Sequence, residues 1–347
     1  DVDNRQGVLT KEDAARIMQK NQEMADAALR VLAMAYEVRG KRYFVGLMGL
    51  IDPPKEGVKE ALAICEQAGI RSVIITGDHP RTAVAIAKQI GMNGTAITGA
   101  ELDAMTEQQL GEVVETHNIF ARTTSRHKVL ILEALQKRGH IVAMTGDGIN
   151  DAPALKRANI GIAMSIKGTD VSRETADMVL ADDHFATIVK AIEQGRVVYD
   201  NIKKFINYLL SANTAEVGVI LLGLLLGLTL PLLPIHILWV NLMTDSWPAL
   251  ALGVDTAEQD VMQRKPRHPK ESLFKNMRGQ IIFTGIVGTA VILGMFAYAL
   301  QHWTETEARI MALTTMILFE VLRSFSCKSY RPLYKMFSNI WLNLAVL

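Results

Sequence analysis

Between residues 205 and 326 the chain holds stretches that water cannot solvate at a protein surface. Residues 205 to 230 carry one charge, Glu216, and residues 234 to 254 carry one acid, Asp245. Residues 279 to 301 carry no charge, and residues 310 to 326 carry only Glu320 and Arg323. A helix needs about 20 apolar residues to cross a bilayer, and each stretch is close to that length. They therefore read as four membrane spans, and "FSNIWLNLAVL" at residues 337 to 347 reads as the opening of a fifth. The bulk numbers, a net charge of +1 and 21% charged residues, hide this because they average two unlike halves.

The loops between the spans are equally asymmetric. Arg264, Lys265, Arg267, Lys270, Lys275 and Arg278 lie between the second and third spans, and Lys328, Arg331 and Lys335 follow the fourth. Residues 230 to 233 and 301 to 308 hold no Lys or Arg. Basic loops face the cytosol, which puts residues 1 to 200 on that side too, since they lead directly into the first span. The two cysteines, Cys65 and Cys327, have no CxxC partner, which argues against a disulfide scaffold or a zinc site and fits a reducing compartment. The start, "DVDNRQGVLTKEDAARI", has no signal-peptide pattern.

The first half alternates. Residues 11 to 38 read as one amphipathic helix with a break, ending before Gly40. "YFVGLMGLID" is strand-like and is stopped by Pro53-Pro54; "KEGVKEALAICEQAG" has helical spacing and a glycine stop. "SVIITGD", the helix "PRTAVAIAKQIG", "IFAR", the helix "SRHKVLILEALQKRG", the strand "IVAMTGDG" and the helix "DAPALKRA" continue the pattern. Short apolar strands separated by helices imply an α/β domain with a parallel sheet, whose working residues lie past the strands' carboxyl ends. Asp52, Thr76-Gly77-Asp78 and Thr145-Gly146-Asp147-Gly148 occupy those places, and Asn150 and Asp151 open the next helix. Any one of them alone could be a turn or a helix cap. The run "TGDGINDAPAL" is more specific: two nearby carboxylates repel unless a cation such as Mg²⁺ lies between them. Lys128 and a threonine hydroxyl would then hold phosphate oxygens.

The spans have their own polar pattern. Asn213 and Glu216 share a helix face, as do Asn241, Thr244 and Asp245, and Glu320 lies in the fourth span. Interhelical hydrogen bonding explains an isolated Asn or Thr. Three acids at membrane depth call for a cation or protons. Pro248 removes a helical hydrogen bond and frees a carbonyl, and broken helices recur at intramembrane cation sites. All these candidate ligands are oxygens, which suits hard cations such as Ca²⁺ and not soft metals.

"TGDGINDAPALK", "ITGDHPRTAVAIAK" and "GLIDPPKEGV" resemble the phosphorylation domain of P-type cation-transporting ATPases, which has the haloacid dehalogenase-like fold. "SANTAEV" and "LWVNLMTDSWPALALG" resemble the fifth and sixth helices of calcium pumps of the sarcoplasmic-reticulum type. The resemblance implies α/β plus membrane all-α architecture: the end of a nucleotide-binding domain over 1–40, a phosphorylation domain over 41–190, and stalk with membrane helices five to eight plus the start of nine over 191–347. It implies ATP as substrate and a catalytic Mg²⁺ on Asp147. Asn150 and Asp151 would support the phosphorylation site, and Thr76 and Gly77 would contact the phosphate. Asp78 would orient nearby groups, Lys128 would neutralise the phosphoryl charge, and Asp52 would lie in the hinge toward the nucleotide domain. Asn213, Glu216, Asn241, Thr244, Asp245 and Glu320 would be Ca²⁺ ligands, with Glu216 favouring two ions.

The family's DKTGT nucleophile and TGE actuator motif do not occur in the chain. "DVDNR" at residues 1 to 5 has spaced aspartates but no preceding apolar strand, and reads as loop. The expectation is a C-terminal-half fragment that forms no phosphoenzyme alone. Its partners would be the nucleophile strand, the actuator domain, the first four membrane helices and a lipid bilayer, with no nucleic acid. The expected setting is a multi-pass protein of the plasma membrane with the sheet domain cytosolic. Residues 186 to 210 read as a rigid helical lever, with Lys203 and Lys204 near the headgroups. Other readings are transport of Na⁺, K⁺ or Mn²⁺, a membrane-tethered dehalogenase-type phosphatase, or an inert truncated product.

Overall fold

The computed structural model describes residues 9–27, 29–50, 53–275, 277–328 and 337–346. The chain divides into two compact units. One runs to Lys190 and includes Met262–Pro266; the other comprises Ala191–Val261 and the chain from Arg267.

The first unit opens with α1 (Lys11–Asp26), started by a reciprocal cap in which the Thr10 hydroxyl accepts from Asp13 N–H and the Asp13 carboxylate accepts from Thr10 N–H. The expected helix ends there. Residues 30 to 38 form β1 (Arg30–Val38), which pairs antiparallel with β2 (Lys41–Leu50). Val38 lies opposite Lys41, so the loop is Arg39-Gly40, and both have left-handed backbone (φ 52° and 75°). Two left-handed residues make the tight turn whose twist matches a hairpin, and this overrides the helix-favouring Leu, Ala and Met of "VLAMAY". The reading of "YFVGLMGLID" as part of the parallel sheet is corrected with it.

Next come α2 (Val58–Gln67), β3 (Ile74–Ile75), α3 (Pro80–Gln89), β4 (Ala96–Thr98), α4 (Gly99–Asp103), α5 (Glu107–Thr116), β5 (Ile119–Ala121) and α6 (Ser125–Lys137). They are followed by β6 (Ala143–Gly146), a 3₁₀ turn (Ile149–Asp151), α7 (Ala152–Arg157), β7 (Ile160–Met164), α8 (Asp170–Thr175) and β8 (Met178–Leu180). The strands are parallel as expected, but they form two sheets rather than one, ordered β3-β5-β4 and β6-β7-β8. Phe120, Ile131, Leu102 and Val114 fill the core beneath the first; Leu132, Met144, Ala154 and Leu155 fill that beneath the second. β3 and β6, which lead into the two TGD sequences, are both edge strands.

The helix α9 (Phe185–Leu225) runs unbroken for 41 residues. Then come α10 (Pro234–Trp239), a π-helical turn (Val240–Asp245), α11 (Ser246–Gly253), α12 (Arg278–His302), α13 (Glu305–Lys328) and α14 (Ile340–Val346). Among the described residues, α9, α12 and α13 are long and apolar enough to cross a membrane. The expected second span is the composite of α10, the π turn and α11. In the second unit, Val219, Val240, Ile292, Phe296 and Met316 lie in a common apolar core. Small residues let the helices touch: a Cβ on Gly285 would lie 2.4 Å from Thr214 Cγ2, and one on Gly218 would lie 2.2 Å from Thr289 Oγ1. Leu221, Leu225, Phe283, Ile286 and Leu322 face outward, as a lipid-facing surface requires.

Candidate functional site

The first cluster gathers behind the edge strands. The Thr76 hydroxyl donates to Asp78 Oδ2 (3.1 Å) and accepts from Asp78 N–H (3.1 Å). The Thr76 carbonyl accepts from both N–H (3.0 Å) and hydroxyl (2.9 Å) of Thr123, and Arg122 N–H donates to the Asp78 carbonyl (2.9 Å). The loop after β3 is thereby laced to the residues that lead into α6. One turn into α6, Lys128 donates to Asp151 Oδ1 in a part-buried ion pair. Asp151 Oδ2 accepts from Gly148 N–H (3.3 Å). Gly146 must be glycine here, because a Cβ would lie 2.5 Å from that of Asp151.

This alters the electrostatics expected from sequence. Lys128 neutralises Asp151, so no cation is needed between Asp147 and Asp151. Asp147 is exposed at the end of β6, with no side-chain partner among the described residues, and so keeps its coordinating capacity. That donor fits a hard, hydrated Mg²⁺, which binds through one or two carboxylates. Asn150 and Gly77 are also exposed, and a Cβ on Gly77 would meet only Thr123 O, at 3.8 Å. Asp52 lies outside the described residues, as does the "DVDNR" segment. Sequence reading missed the floor beneath Asp147, where its carbonyl accepts from Thr169 N–H (3.0 Å) and Ser172 Oγ (3.4 Å). "GTDVS" is a visible helix start, but nothing local links it to a strand 20 or so residues earlier.

The second cluster lies among the membrane helices. Glu216, Asp245 and Glu320 are all buried, at 6%, 3% and 1% exposure. Asn241 Nδ2 donates to Glu216 at 3.2 Å and to the Ile237 carbonyl at 3.0 Å. The Thr244 hydroxyl donates to the Val240 carbonyl at 2.8 Å, and among the described residues both carboxylate oxygens of Glu320 lack a hydrogen-bond partner. Asn213 is half-buried, one turn before Glu216. The π turn covers Asn241, Thr244 and Asp245; Asn241 is exposed, Thr244 half-buried and Asp245 buried. Among the described residues, no group of three His, Cys, Asp or Glu side chains is placed so as to hold a metal ion.

Tyr208 is the residue that sequence reading overlooked. Fully buried on α9, its hydroxyl lies 3.0 Å from both the Thr244 carbonyl and Asp245 Oδ1. The Thr244 carbonyl is the one that an α-helix would pair with residue 248, and Pro248 has no N–H to give. The available signal was a lone tyrosine in an uncharged run, since a buried phenol needs a partner.

Residues 3–159 match the model of haloacid dehalogenase-like hydrolases, and residues 229–347 match that of the C-terminus of cation transporting ATPases. The calcium-transporting ATPase of Bacillus subtilis is 44% identical over 93% of this chain and 39% of its own length. Calcium-transporting ATPase 1 of Schizosaccharomyces pombe is 38% identical over 100% of this chain and 40% of its own. The probable cation-transporting ATPase F of Mycobacterium bovis is 40% identical over 98% of this chain and 40% of its own. The chain thus spans about two fifths of the length of these relatives. With a hydrolase domain of parallel sheets and a membrane domain in one polypeptide, the chain belongs to the P-type cation-transporting ATPase family.

Proposed function

We propose that this chain is the phosphorylation-domain and ion-binding part of a pump that hydrolyses ATP through an aspartyl phosphate and moves Ca²⁺ across a membrane. The observation that carries this reading is the pairing of two clusters on one chain. Glu216, Asp245 and Glu320 are buried acids beside a π-interrupted helix, and the TGDGIND turn presents an exposed carboxylate beside a neutralised one. The names of the Bacillus and Schizosaccharomyces relatives support Ca²⁺ as cargo; the all-oxygen donor set supports it independently.

In this reading the phosphorylated aspartate comes from a strand that lies parallel to and between β3 and β6, joining the two three-stranded sheets and burying both edges. Thr76 and the Gly77 backbone face the phosphate. Lys128 and Asp151 hold each other in place, with the remaining ammonium protons of Lys128 left for phosphate oxygens. Mg²⁺, held by Asp147, would offset phosphate charge. In the membrane, Glu216, Asp245 and Glu320 give anionic oxygens, and Asn213, Asn241 and Thr244 give neutral ones. α9 is the lever that links phosphorylation to the cation ligands. The basic loops support a cytosolic sheet domain, and the plasma membrane is the proposed location.

The test is Asp245→Asn in the full-length pump that contains this chain. An amide supplies a dipole where a dehydrated Ca²⁺ needs charge, so half-maximal Ca²⁺ for phosphorylation by ATP should rise about tenfold or more. Phosphorylation by inorganic phosphate without Ca²⁺ should survive. An unchanged Ca²⁺ dependence would remove Asp245 from the ligand set; activation of the wild type by Na⁺, K⁺ or Mn²⁺ in place of Ca²⁺ would keep the pump and replace the cargo.

A further inference from the structure

The helix α11 is gripped by α9 at both of its ends. At its start, Tyr208 holds Asp245 and the Thr244 carbonyl. At its end, Asn201 Nδ2 donates to the carbonyls of Gly253 (3.3 Å) and Asp255 (2.8 Å), and Lys204 Nζ lies 2.8 Å from Asp255 Oδ2 and 3.5 Å from Glu258. Asn201, Lys204 and Tyr208 follow the i, i+3, i+7 spacing of one helix stripe. A second cation completes the far grip: Lys328, in the last turn of α13, lies 3.9 Å from Asp255 Oδ1 and also hydrogen-bonds Ser338. The chain beyond Asp255 stays on α9, where Arg196 donates to the Val261 carbonyl (2.9 Å) and the Arg267 guanidinium lies 3.6 Å over the Tyr199 ring.

These charges are not a solvated rim. Asp255 is 5% exposed, Lys328 4% and the Lys204 side chain 11%. Apolar residues of the same size would hold two helices together at lower cost, because two ions must be stripped of water to meet. What a buried ion pair adds is a defined geometry. Here two lysines face Asp255 and Glu258, so the group is neutral as a set and loses neutrality if any one member leaves.

We propose that Lys204, Asp255 and Lys328 form a buried ionic latch that fixes the far end of the ion-binding helix to α9 and α13, so that the position of Asp245 is set by α9. These are positioning residues: they act on the cation through Tyr208 and α11 rather than by touching it. Pro248 gives no N–H to the Thr244 carbonyl, and the Tyr208 hydroxyl takes up that acceptor instead. Lys204, whose place in the sequence suggested a headgroup contact, is instead turned into the protein.

The proposal rests on the cation-pump reading, and the experiment separates the two. In the full-length pump, Lys204→Met should raise half-maximal Ca²⁺ for phosphorylation by ATP about three- to tenfold, with phosphorylation by inorganic phosphate retained. Lys204→Arg should restore Ca²⁺ affinity, because a guanidinium can bridge Asp255 and Glu258. Asp255→Asn should be worse than Lys204→Met, as it leaves two ammonium groups facing each other. Should Lys204→Met fail to fold, Lys204→Gln, which keeps a donor without the charge, serves in its place. Wild-type Ca²⁺ affinity in the neutral variant would overturn the latch, and so would a parallel loss of both phosphorylation reactions, which marks a folding role only. A wild type with no Ca²⁺ activation at all would overturn the pump reading and the latch with it.

Discussion

Asp183 shows how one side chain can hold a loop that feeds a site. It has left-handed backbone (φ 52°) and is 3% exposed. Its carboxylate accepts from the N–H groups of Ser165 (2.6 Å), Ile166 (3.1 Å) and Lys167 (2.8 Å), the residues between β7 and the Thr169 cap beneath Asp147. Burial works against its ionisation, but these three donors prevail and hold its carboxyl below the usual aspartate range. A carboxylate with a lowered pKa lends stability above its unfolded-chain value and loses it as pH falls through the folded one. The contribution is therefore complete at neutral pH and disappears only below about pH 4. Asp183→Asn should lower the melting temperature of the solubilised protein by several degrees at pH 7, and by progressively less in acid, as read by thermal unfolding at each pH. An Asp183→Asn deficit that grows in acid would contradict the assignment. Tyr208→Phe makes a second residue-level test. It keeps the ring and removes the donor to Asp245, so Ca²⁺ affinity should fall while the amount of folded protein stays the same.

At the scale of elements, α12 gives the most direct test of topology. Its 25 residues, at about 1.5 Å each, reach roughly 38 Å, more than the ~30 Å hydrocarbon layer. A crossing would put its ends on opposite sides. Cys65 and Cys327 are both buried, so a cysteine introduced at Lys270 or Thr304 should dominate labelling by an impermeant thiol reagent. Lys270→Cys should react from the cytosolic side and Thr304→Cys from the other; labelling of both from one side would refute the crossing. The parallel strands and membrane spans were legible because short apolar runs between helices, and long apolar runs without charge, have few other solutions. The hairpin at Arg39-Gly40 was not, because its strands are rich in residues that also favour helices and an arginine with positive φ gives no local warning. The π turn was not legible either: Pro248 announced an irregularity, but the extra residue per turn is taken up before it, over Val240–Asp245. The separation into two sheets depends on which edges pair, and strand patterns alone do not specify pairing.

Across the whole molecule, the polar residues that could be named in advance are those whose burial is expensive. Glu216, Asp245 and Glu320 stand out because acids in a membrane span need a reason; Asp147 and Asp151 stand out because they crowd one turn. Lys204, Asp255 and Lys328 are far apart in sequence and near the ends of spans, where charges are ordinary, so only the fold brings them together. α9 is common to both ends of the proposed mechanism: at about 1.5 Å per residue its 41 residues extend roughly 60 Å, and along it lie Lys204, Tyr208 and Glu216. The measurement that bears most directly on the claim that this chain belongs to a Ca²⁺ pump is ATP-driven uptake of labelled Ca²⁺ into sealed vesicles carrying the full-length protein, wild type beside Asp245→Asn. The expected result is saturable, ATP-dependent Ca²⁺ accumulation by the wild type and its loss in Asp245→Asn. ATP-driven movement of Na⁺, K⁺ or Mn²⁺ with no Ca²⁺ uptake would contradict the claim, and equal Ca²⁺ accumulation by both proteins would contradict the place of Asp245 in the ligand set.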